Sequence, residues 1–175
     1  MEGTFKGLRQ QRLASRVRVA DPLEWTILER VVAVLAAITT GGGYNFDLSG
    51  SGQAYIGDPE VPPMVLPCAA VSWVSDEAAD GQPLGKYRIT SRMEVFVMTT
   101  WTDETSSGHT RALLQLVYDV RKALEADRTL NANVYDLIVE RVDDASGVTR
   151  GAVGPTVVGA VLTVRVWRER NAAAA

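Results

Sequence analysis

Asp76, Glu77 and Asp80 place three carboxylates within five residues, a group of potential oxygen ligands. Calcium or magnesium would need more oxygens, supplied from a defined loop. No helix–loop–helix spacing surrounds these three, so they read as solvated loop charge between Ser75 and Gly85. Asp143-Asp144 could suggest glycoside hydrolysis, but neighbours in a turn do not face each other across a sugar. His109 is the one histidine and Cys68 the one cysteine. Neither has the partners for a nucleophile triad or a metal centre built on histidine or cysteine. Cys68 sits among Leu66, Pro67, Ala69, Ala70 and Val71, which predicts a buried, inert thiol. The glycines of 41–52 match neither a phosphate loop nor a dinucleotide fingerprint. No nucleophile elbow or zinc-hydrolase motif is present either. The chain is therefore expected to work through its surfaces, not as an enzyme, and without a cofactor.

Those surfaces must be carried by a core, and 175 residues at 46% hydrophobic suffice for one domain. A net charge of −3 offers no electrostatic case for sequence-specific nucleic-acid binding. The longest apolar run, Val31 to Ile38, is far short of a membrane span. The first twenty residues lack the apolar core of a secretory signal, so a protein of the reducing cytoplasm is expected.

The best-patterned stretch is Gly85 to Thr100. Tyr87, Ile89, Met93, Val95 and Val97 alternate with Arg88, Thr90, Arg92 and Glu94, and Ser91 is the one polar interruption of the apolar set. This is a long central strand. Before it, Asp21-Pro22-Leu23-Glu24 predicts a capped helix start. The helix runs to about Thr39 and is apolar nearly all round in its second half, so it is covered on more than one side. Pro59, Pro62, Pro63 and Pro67 lead to a strand near 64–74, at an edge or broken at Pro67. A second helix, about 109–126, carries Leu113, Leu116, Val117, Val120 and Leu124 as one stripe. Strands follow near 134–142 and 156–168. In the last, Val158, Ala160, Leu162, Val164 and Val166 face one way, and Val157, Val161, Arg165 and Trp167 face the other.

This order predicts an α+β two-layer sandwich: a mainly antiparallel sheet, with a mixed one admitted, and two principal helices on one face. The domain is expected over 21–170, with an extended glycine/proline-rich segment at 40–63 and a disordered tail at 171–175. Residues 1–20 read as a basic arm, either flexible or ordering on an acidic neighbouring subunit, with Arg9, Arg12, Arg16 and Arg18 as its candidate contacts. The apolar residues opposite the core, Trp167 above all, point to contact with another chain.

The layout resembles the tail-terminator proteins of long-tailed bacteriophages, also called minor tail or tail-completion proteins. The resemblance spans about residues 22–168. It rests on DPLEWTILERVVAVLAAI, EVPPMVL, YRITSRMEVFVMT, RALLQLVYDVRKALEADRTL, NANVYDLIVERVD and the closing VRVWRER. It implies a hexameric ring on the head-proximal end of the tail tube, assembled in the host cytoplasm and carried into the virion. Such a ring stops tube polymerisation and offers a surface to head-completion (connector) proteins, with the major tail tube protein as its other partner. It has no catalytic centre. On the matched helix, Arg111, Asp119, Arg121 and Lys122 become candidate interface residues, and on the last strand Arg165, Trp167 and Arg168. Another ring-forming head–tail joining protein, an enzyme with an unrecognised pocket, and an unrelated interaction module remain alternatives.

Overall fold

The computed structural model describes residues 23–57, 65–78, 86–101, 108–144 and 156–171. The basic arm, the Asp21-Pro22 cap, most of the proline-rich approach, Asp80 and the tail from 172 onward lie outside them. Among these residues two α-helices and five strands follow the order α1 (Leu23–Ala36), β1 (Ala54–Ile56), β2 (Cys68–Ala78), β3 (Lys86–Trp101), α2 (Gly108–Ala126), β4 (Asp136–Asp144) and β5 (Thr156–Asn171). The five-stranded sheet has the order β1-β2-β3-β5-β4. β1 pairs parallel to β2, and every other pair is antiparallel. The result is a mixed two-layer α+β fold with both helices on one face.

Alternation decides which face that is. Ile89, Met93, Val95 and Val97 of β3 are buried, as are Val158, Ala160, Leu162, Val164 and Val166 of β5. They join Ile27, Val31 and Leu35 of α1 and Leu116, Val120 and Leu124 of α2 in one core. The second cover expected for α1 is internal, since the helix touches α2 as well as β1 and β2. α1 ends at Ala36 rather than near Thr39. Thr39 instead caps a short 3-10 turn, its hydroxyl accepting from the Gly42 N–H at 3.2 Å.

β2 departs most from the sequence reading. Pro67 has no N–H to give to a ladder, so the strand starts after it, at Cys68. At its far end the strand runs on to Ala78, so Asp76 and Glu77 stand on a strand and not in a loop. A bulge between Trp73 and Ser75 interrupts the pairing with β3. The extra residue, Val74, reverses the alternation. Ala69, Val71 and Trp73 lie opposite core residues of β3 before it, and Asp76 lies opposite Ser91 after it. A second bulge in β4, between Val139 and Arg141, does the same for Glu140.

The 40–57 part of the glycine-rich segment is tied to the body. Leu48 is fully buried, and Tyr44 and Phe46 pack on the core. Within this extended segment, Ala54–Ile56 forms the parallel edge strand β1.

Candidate interaction surfaces and the ion cluster behind them

Four elements converge on one guanidinium. Arg168, 2% exposed, lies on the helix-covered face of β5. Its Nε donates to Ser91 Oγ at 3.0 Å on β3, and its Nη2 donates to Asp76 Oδ2 at 2.7 Å on β2. The same Nη2 pairs with Glu24 Oε1 in the first turn of α1. Trp73 closes the site, its ring centroid 5.4 Å from the guanidinium carbon. Ser91, the polar interruption of the central strand, is thus a hydrogen-bond acceptor within the core face. A cation so enclosed needs its charge matched and its donors filled, and this cluster does both. Arg168 was expected to be an exposed interface residue, but it is buried and committed to this cluster. Its even number shares the parity of Val158 to Val166, a signal the sequence did carry. Asp76 is likewise committed to Arg168 and is not a solvated loop charge.

Asp119 on α2 is buried as well. Helical spacing suggested an outward position, but the residue is fully buried. It follows Leu116 by three and precedes Ala123 by four, which puts it on the shoulder of the apolar stripe. Its carboxylate accepts from Asn45 N at 2.7 Å, Asn45 Nδ2 at 2.9 Å and Phe46 N at 2.9 Å. Lys122 reinforces the same junction. Its Nζ donates to Gly43 O at 3.1 Å and stands 4.6 Å from the Tyr44 ring centroid. Asp119 and Lys122 therefore fasten the 43–46 segment to α2.

Among the described residues, two surfaces stand uncovered. The first is the outer ridge of α2, where Leu114 is 61% and Tyr118 60% exposed. Exposed Arg111 and Arg121 flank them at spacings of three, and Arg121 pairs with Glu125 at 2.7 Å. Sequence reasoning singled out the arginines and missed Leu114 and Tyr118. Their i, i+4 spacing opposite the buried stripe was the available signal.

The second surface is the sheet face that no described helix covers. Thr90, Arg92, Glu94, Phe96 and Met98 of β3 lie there beside Val157, Val161, Thr163, Arg165 and Trp167 of β5, all partly buried. The register divides it. Phe96 pairs with Val161 and Met98 with Gly159 at one end, where a Cβ on Gly159 would come within 3.1 Å of the Met98 side chain. Arg92 pairs with Arg165 and Thr90 with Trp167 at the other end. Arg165 reaches Glu140 at 2.6 Å and stands 5.9 Å from the Trp167 ring centroid. Arg92 Nε is buried and makes no hydrogen bond. Arg9, Arg12, Arg16 and Arg18, the remaining candidates, lie outside the described residues, as does the side chain of His109.

Burial pushes the Cys68 thiol up to about 11, which keeps it protonated at neutral pH. Among the described residues no group of three or more His, Cys, Asp or Glu could hold a metal ion. No described helix is long and apolar enough to cross a membrane.

No protein-family model matches the chain, and no curated protein matches it. Among solved structures it is similar to a chain of "Virion of native gene transfer agent (GTA) particle", at 15% identity and a TM-score of 0.43, covering 82% of this chain and 94% of that one.

Proposed function

We propose that this chain is a non-catalytic structural protein of a phage-type virion tail. It forms a ring, six-membered as in the family its sequence resembles, on the head-proximal end of the tail tube. The ring ends polymerisation of the major tail tube protein and presents a surface to a head-completion protein. It is assembled in the host cytoplasm and needs no cofactor. The observation that carries this reading is the one-sided cover of the sheet. The described helices fill one face and leave the other as a platform of apolar and charged side chains. Such a platform suits docking to another protein more than enclosure of a small molecule. The α2 ridge is a second, separate surface, as a subunit needs when it meets ring neighbours and tube at once.

Electron microscopy of the purified protein mixed with tail tubes tests the proposal. Rings at one tube end only, and tails of unregulated length when the protein is absent, are the expected results. Binding along the tube wall, or none at all, would overturn it.

A further inference from the structure

The sheet face that no described helix covers carries an imbalance that a second copy of this chain can correct. Arg92 and Glu94 stand two residues apart on the central strand and point the same way. Neither makes an ion pair or hydrogen bond among the described residues, and Arg92 Nε is buried without a partner. Directly across the ladder from Arg92 lies a like charge, Arg165, already engaged by Glu140. A partly desolvated guanidinium in this position favours a carboxylate arriving from outside.

We infer that the free chain pairs with a second copy through this face, about a two-fold axis that crosses the strands at the level of Met93 and Val164. These two residues are register partners on β3 and β5. The axis exchanges the position one residue above that level with the position one residue below it. Arg92 of one copy then meets Glu94 of the other, and Glu94 meets Arg92. On β5 the same operation sets Trp167, three residues above, on Val161, three residues below, again twice. An axis running along the strands would instead set Arg92 on Arg92, and like charges facing each other cost affinity. Reciprocity of this kind is the mark of an isologous contact, and aligned packing of two sheets is an ordinary solution to it.

The size is adequate. Four strands about 4.8 Å apart and about eleven residues of about 3.4 Å each span roughly 700 Å² of plane. Stable interfaces bury about 800 Å² per partner. This pairing concerns the free chain and does not depend on the tail reading. If that reading holds, the pair must open before the same face docks on a tube.

Sedimentation equilibrium of the full chain without tubes is the test. The wild type is expected to be a dimer that weakens as salt is raised. Arg92→Glu and Glu94→Arg each place like charges at both contacts, and each should dimerise on the order of a hundredfold more weakly. An equimolar mixture of the two variants restores both attractive pairs, so a heterodimer should form. If either reversal folds poorly, Arg92→Met and Glu94→Gln replace them, and each should weaken dimerisation while leaving the thermal midpoint of the monomer in place. A wild type that stays monomeric, variants that dimerise like wild type, or a mixture that stays monomeric would overturn the inference. Tube-end binding by a monomeric wild type would sink the pairing and leave the tail reading standing.

Discussion

Asp119 on α2 holds Asn45 twice, accepting from its backbone N–H at 2.7 Å and from its side-chain Nδ2 at 2.9 Å. The two residues are 74 apart in the chain. The carboxylate is enclosed by protein, and a third N–H, from Phe46, adds to it. Asp119→Ala leaves those donors unfilled and should lower unfolding free energy by about 3 kcal/mol. Asp119→Asn keeps an acceptor and should cost less. Urea denaturation of both variants measures the difference. Faster proteolysis within 43–57 should accompany the alanine change.

Arg168 is the other buried keystone. Arg168→Met removes the cation from between Glu24 and Asp76 and should destabilise by about 3–5 kcal/mol. Adding Glu24→Gln and Asp76→Asn to it should recover much of that loss, because the cost lies in the stranded carboxylates. The three changes will then be far from additive, which denaturation of the single and combined variants can show.

Cys68 gives the fold an alkaline limit. Its folded pKa is raised, so the stability it protects is fully present below the ordinary value of 9.0 and lost as pH rises toward about 11. Over that window the unfolded chain releases the thiol proton first. Cys68→Ala should remove about 2–3 kcal/mol of this pH-dependent loss. Denaturation midpoints of both proteins through the window give the difference free of other titrating groups.

The α2 ridge should matter for assembly and hardly at all for folding. Leu114→Ser with Tyr118→Ser removes exposed apolar surface and should change stability by no more than about 0.5 kcal/mol. Ring formation on tube ends, read by electron microscopy, should be lost. Intact rings would exclude the ridge from the ring contact.

Trp167→Asp should also separate the two properties. Trp167 lies half-buried on the face that no described helix covers, outside the core, beside Arg165. A cost of about 1 kcal/mol in stability is expected, with a much larger loss of association. A variant that fails to fold would show that the indole serves the monomer.

What the sequence determined by itself was the layering. Alternation along 85–100 and 156–168, and the single stripe of α2, specify which residues face inward, because burial is set by period and period is local. The α+β sandwich and most strand bounds follow from that. The two bulges do not, because an extra residue in a ladder is visible only against its partner strand. Without the bulge at Val74, Asp76 would point away from Arg168. Asp119 and Arg168 were misplaced for a related reason. Charge suggests exposure, and only the tertiary structure supplies the distant N–H groups and carboxylates that make burying a charge tolerable. That Arg92 and Glu94 stand without partners among the described residues likewise became visible only when the register showed what stood opposite each.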